Sequence, residues 1–171
     1  MLLVDGVYMK ITLRTKNGAV LTAFERKVVR LASLFYANKL MTSRMVNSIE
    51  LVINVHGEYH KKTGYLGDVM PVDDEITSRP KKFEINLDWP KRFKRMLISL
   101  GHEMVHVKQY AKGELKFHER GNIVTFQKQQ YTDDEYWESP WEIEAYGREP
   151  GLWQKFKPTY RLLLEENRGK V

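Results

Sequence analysis

The stretch SLGHEMVHVKQY, residues 99–110, places His102 and His106 four positions apart, with Glu103 directly after the first. On a helix, at about 100° per residue, side chains four apart lie nearly one above the other. Two imidazoles so placed can reach one metal ion with little strain, and the neighbouring carboxylate is angled toward water beside that ion. This is the H-E-x-x-H pattern: two ligands and a general base delivered by one rigid element, the chemistry of zinc-assisted hydrolysis. Five residues with three fixed identities also arise by chance. The weight of the pattern therefore depends on helicity, on a third ligand and on the rest of the chain.

Helicity is well supported. Asp88-Trp89-Pro90 breaks a preceding strand, and proline suits a first helical turn, so a helix is expected from about Lys91 to Lys112, stopping at Gly113. Phe93, Met96, Leu97, Leu100, Met104 and Val105 keep the three-and-four spacing of a core-facing side. Gly101, just before His102, fits the close approach of another element.

A catalytic zinc takes three protein ligands and leaves one position open. The chain has no cysteine, so the ligands must be His, Asp or Glu. The metzincin continuation needs a glycine and a histidine where Gln109 and Lys112 stand, which excludes that class. His118, in LKFHERG beyond the helix, is one candidate, because SprT-like proteases take a third histidine from past such a turn. The other is SPWEIEAYGRE, residues 139–149. Ser139 can cap and Pro140 suits the first turn, so a second helix here would present a carboxylate and complete a His₂Glu site. Glu142 and Glu144, two apart, point about 200° from each other, so only one of them can face the ion.

Taken together, GHEMVHVKQY and PWEIEAYGRE resemble a family of phage metallopeptidases, gluzincin-like HExxH zinc peptidases, over residues from about 80 to 150. The resemblance implies a minimal zincin-like domain, a bound Zn²⁺, and a protein or peptide substrate met in the host cytoplasm. It also implies His102, His106 and Glu142 as metal ligands and Glu103 as general base; Glu144 and His118 stand as the alternatives to Glu142. Related gluzincins carry the third ligand at the head of an E-x-x-A-D or E-x-x-x-D pattern, whose aspartate orients a histidine of the first helix. Glu142 and Ala145 match it, but Tyr146 stands where the aspartate should be. The orienting carboxylate is then left to Glu144, Asp133 or Asp134. Tyr146, Tyr131, Tyr136 and His118 are candidate donors to the oxyanion that forms during acyl transfer.

The elements that must position these residues suggest an α+β fold with a small, mostly antiparallel sheet packed on the H-E-x-x-H helix. Val7, Met9, Ile11 and Leu13 alternate loosely into Lys16-Asn17-Gly18, the signal of a short hairpin. Thr22 to Glu25 has the form of a capping box, opening a helix over residues 23–41. Ile49, Leu51, Ile53 and Val55 alternate with polar residues, as do Phe83, Ile85 and Leu87, giving two half-buried strands. Between them, HGEYHKKTGYLGDVMPVDDE reads as loop with one short strand at most. The strand from Phe83 to Asp88 is where a zincin would pair an extended substrate by edge addition. His56 and His60 are also four apart, but their Gly-flanked setting argues against a second metal site. A separate last helix, Leu152 to Asn167, packs on the domain and bends at Pro158. Trp89, Trp137, Trp141 and Trp153 read as core or cleft-wall rings.

The 171 residues, 42% hydrophobic and 29% charged, suit one globular domain over 1–171. No stretch is apolar enough to span a bilayer, and MLLVDGVYMK lacks the features of a signal peptide, so a cytoplasmic protein without membrane contact is expected. The net charge of +6 raises a second class of function, nucleic-acid association through Lys91, Arg92, Lys94 and Arg95. Its forms are a SprT-like protease of DNA-bound proteins, or a basic DNA-binding module whose metal site is structural or inactive. A zinc hydrolase of non-peptide amides is a third possibility.

Overall fold

The computed structural model describes residues 8–73, 78–89, 92–118, 122–132 and 136–169. Asp133, Asp134, Pro90 and Lys91 lie outside the described residues. The architecture is α+β.

Strand β1 (Lys10–Lys16) runs into Asn17 and Gly18, both with positive φ. No hairpin follows. Thr22 forms the capping box, with Glu25 N–H donating to Thr22 Oγ1 at 3.2 Å and Thr22 N–H to Glu25 Oε2 at 2.8 Å. Helix α1 (Ala23–Leu40) then carries the chain back, so that β2 (Glu50–His56) lies parallel to β1, from Lys10 opposite Glu50 to Lys16 opposite His56. A parallel pair needs such a crossover, and a helix supplies its length. The short helix α2 (Ser43–Val46) fills part of the return.

After β2 come the short helix α3 (Tyr59–Thr63) and β3 (Gly67–Pro71), then β4 (Lys82–Asp88). The sheet order is β1-β2-β4-β3, with β2 and β4 parallel and only β3 antiparallel to its neighbour. The expectation of a mostly antiparallel main sheet is therefore wrong, and its cause is physical. Parallel strands usually read as unbroken apolar runs because both faces are covered. Here only one face is apolar: Leu51, Ile53, Val55, Phe83, Ile85 and Leu87 are fully buried. The other face carries a polar network in which Asn54 bonds Glu84 and Asn86, His56 bonds Asn86, and Asn86 and Tyr59 both donate to Asp68. The resulting alternation imitates an antiparallel strand. It also follows that β4 is internal and that the sheet's two edge strands are β1 and β3.

Helix α4 (Phe93–Ala111) packs its buried Met96, Leu97, Leu100, Met104 and Val105 into the same core as the sheet and α1. It ends as expected at Gly113, whose positive φ lets Glu114 N–H reach Gln109 O at 2.8 Å. An antiparallel three-stranded sheet follows, β5 (Leu115–Phe117), β6 (Ile123–Phe126) and β7 (Gln129–Thr132). With Trp141 it builds a second, smaller core of Leu115, Val124 and Phe126.

The two expected C-terminal helices are one. Helix α5 (Pro140–Arg168) runs for 29 residues through Pro150 and Pro158. Each interior proline costs about 3 kcal/mol or more in an isolated helix. Burial of Trp141, Ala145, Leu152, Trp153, Phe156 and Leu163 along its length offsets that cost. Among the described residues, no helix is long and apolar enough to cross a membrane.

Candidate metal centre

The second half of α4 and the first turns of α5 face each other, and the residues with metal chemistry meet between them. The expected close approach at Gly101 does not require glycine: a Cβ there would meet the Tyr36 ring at 3.5 Å and Leu152 at 3.9 Å, ordinary contact distances. His102 and His106, one turn apart, project together, their Nε2 atoms 3.2 Å apart. From α5, Glu142 reaches both, with Oε2 3.3 Å from His102 Nε2 and Oε1 3.3 Å from His106 Nε2. All three side chains are buried. Among the described residues they are the one group of three whose ligand atoms, all within 4.8 Å of one another, could hold a metal ion.

The donor set suits such an ion. Glu142 Oε2 is buried without a hydrogen bond, so it is an orphan acceptor aimed at the imidazoles. Burial would raise the Glu142 carboxyl, but His102 and His106 overcome this and hold it down at about 2. Burial would lower the His102 imidazole, yet Glu142 and Glu149 push it up to about 9. In both shifts the protein is arranged to keep positive charge at this point, and a divalent cation supplies it without a proton.

Glu103 lies beside the three and is itself buried. Burial lifts its carboxyl to about 7, against the pull of His106 and His102. Its Oε1 rests on the backbone of the edge strand: a Cβ built on Gly67 would come within 2.9 Å of it. Glu103 thus lies near both the three-residue cluster and β3, with a carboxyl that burial brings toward neutrality.

The remaining predicted residues separate cleanly. Glu144 points away from the cluster, as the 200° offset requires, and bonds Lys108 Nζ at 2.8 Å, Gln109 Nε2 at 3.0 Å and Arg148 Nε at 2.7 Å. His118 is bonded to Thr125 Oγ1 at 2.8 Å across the β5–β6 pair and does not join the cluster. Tyr131 is occupied with Gln129. Tyr146 stays at the site, its ring edge-on to His102 with centroids 4.5 Å apart. Tyr136 joins it there: burial and bonds to Tyr146 and Glu142 push its hydroxyl well above the phenol range.

Sequence reasoning missed several contributors. Glu149 brings Oε2 within 3.3 Å of His102 Nδ1, an ion-pair approach. It follows Glu142 by two helical turns, so its side of the helix was readable, but its partner was not. Gln109, three after His106, accepts at Oε1 from His106 Nδ1 at 2.8 Å. That spacing was also on view.

Hollows open on both sides of His102 and Glu103. One, of about 230 Å³, is walled by Tyr110, Phe117 and Trp141; the other, of about 500 Å³, by Tyr65, Arg95, Trp137 and Tyr146. Trp137 is 71% exposed and lines the second as a cleft wall. A separate hollow of about 580 Å³ is lined by Arg44, Arg79, Lys81 and Lys112 and contains none of the predicted site residues. Of the expected basic patch, Arg95 faces the cleft and Lys94 sits over the Trp153 ring. No protein family, curated protein or solved structure matches this chain.

Proposed function

We propose that the protein is a zinc-dependent peptidase of zincin-like architecture, with His102, His106 and Glu142 as ligands and Glu103 as general base. The observation that carries this reading is the convergence of three buried ligand atoms from two helices, beside a fourth buried residue that can accept a proton. Zinc at this point would polarise a carbonyl and acidify water. Glu103 takes the proton during attack and returns it to the leaving amine. Tyr146, which lines the same hollow as His102 and Glu103, would donate to the developing oxyanion, with Tyr136 beside it. The edge strand β3, with Gly67 close to Glu103, is the strand to which an extended peptide would add, taking the place first expected of β4. The motif resemblance to gluzincin-like phage peptidases points the same way.

The test combines metal analysis with hydrolysis of a denatured protein substrate by the zinc-loaded enzyme. One equivalent of zinc, lost in His102→Ala and Glu142→Ala and retained in His118→Ala, together with cleavage abolished by Glu103→Gln, is the expected result. Full zinc content in His102→Ala would overturn it. The rival reading, a SprT-like or otherwise DNA-associated protein, draws on the hollow lined by Arg44, Arg79, Lys81 and Lys112. Cleavage that depends on added DNA would favour it.

A further inference from the structure

The carboxamide of Gln109 is fully buried and has two unlike ends, an oxygen that only accepts and a nitrogen that only donates. Which end meets His106 is decided from the far side. The Gln109 Nε2 group lies 3.0 Å from the Trp141 carbonyl and 3.0 Å from Glu144 Oε2, two acceptors. Turning the amide over would set its oxygen against both and leave its N–H groups facing the ring. The oxygen therefore faces His106 Nδ1, at 2.8 Å. Since that oxygen cannot donate, Nδ1 carries the hydrogen, and the neutral ring is left with a bare lone pair on Nε2.

Glu144 is in turn held fast. Lys108 Nζ and Arg148 Nε both bond its Oε1, at 2.8 and 2.7 Å, which reserves Oε2 for Gln109. Lys108 is 5% exposed and is pinned on its other side by Glu114, 2.6 Å from Oε2. We infer that Glu144 is a positioning residue: anchored by Lys108 and Arg148, it orients Gln109 and so fixes His106 as the Nδ1–H tautomer, aiming the Nε2 lone pair at Glu142 and His102. The two glutamates of WEIEA then have complementary tasks on opposite sides of one helix. Glu142 faces the ion site, and Glu144 prepares the imidazole that faces it. The consequence for zinc affinity rests on the metal reading above, but the tautomer does not.

The test is nitrogen-resolved NMR of the histidine rings in zinc-free protein in mildly alkaline solution, followed by zinc titration. Wild-type His106 is expected to show a protonated Nδ1 and a bare Nε2. In Glu144→Leu, where Lys108 keeps Glu114 as partner, and in Gln109→Met, which has no oxygen to offer, that preference should be lost. Zinc should then bind about 10- to 100-fold more weakly. A protonated Nε2 in wild-type His106 overturns the inference, and that result needs no variant to fold. So does a Glu144→Leu protein with the wild-type tautomer and unchanged zinc affinity.

Discussion

Glu149 Oε2 lies 3.3 Å from His102 Nδ1, on the side of the ring opposite Glu142. One helix thus brings a carboxylate to each nitrogen of a single imidazole, Glu142 to Nε2 and Glu149, two turns later, to Nδ1. A carboxylate behind a ligating histidine fixes its orientation and makes it a better donor, and removing such a partner costs about 10- to 100-fold in metal affinity. Glu149→Ala should weaken zinc binding by about that factor while leaving one equivalent bound at saturation, as a competition titration against a chelating dye would read. Equal affinity in the two proteins would mean that the contact does nothing for the metal.

Glu103 can be separated from His102, His106 and Glu142 because it is not one of the three residues whose ligand atoms converge. Glu103→Gln keeps the shape and removes the base. Hydrolysis should fall by about 10²- to 10⁴-fold in kcat, with zinc content and KM little changed. A variant that cleaves at the wild-type rate would remove Glu103 from the chemistry, whatever the fate of the metal.

Gly67 is where the edge strand comes nearest to that base. A methyl group there would lie 2.9 Å from Glu103 Oε1, 3.1 Å from Asn86 O and 3.1 Å from Leu87 Cδ2. The carboxylate can swing aside but the backbone carbonyl cannot, so Gly67→Ala should destabilise the protein by about 1–3 kcal/mol, as overpacking does. It should also lower kcat by displacing Glu103. Denaturant unfolding read beside steady-state rates checks both, and a wild-type midpoint with wild-type kcat would contradict the packing described here.

Legibility in the sequence followed the range of the interactions. The α4 histidine pair, the C-cap of that helix and the capping box of α1 were readable because each rests on residues three to five apart. Choosing Glu142 over Glu144 needed the rotation of α5 about its axis, and the motif resemblance supplied it. Strand direction was not readable, since Leu51 and Phe83 alternate with polar neighbours whether their partners run parallel or antiparallel. The continuity of α5 through Pro150 and Pro158 was hidden too, because it depends on Trp153 and Phe156 reaching a core built by distant segments. Glu149 and Gln109 were visible as residues, but their tasks exist only once two helices are in contact.

Tyr36 ties α4 to α1 and gives the fold a signature in alkali. Its ring packs on Gly101, the residue before His102, and its hydroxyl donates to Leu97 O at 3.2 Å. Burial raises its pKa beyond the ordinary phenol value of 10. Above about pH 10 the unfolded chain releases this proton while the folded chain keeps it. The contribution of Tyr36 is therefore complete below that pH and declines as pH rises, by about 1.4 kcal/mol per unit for one group. Tyr36→Phe removes this term and also the hydrogen bond, worth about 1 kcal/mol. The variant should be the less stable protein at neutral pH and the more stable one above about pH 11, where the two effects cross. Urea unfolding of both proteins across that range, read as a difference so that the other tyrosines cancel, tests the sign. Parallel curves with no crossing would mean that the Tyr36 hydroxyl is free to ionise in the folded state, and that α1 does not seal this end of α4.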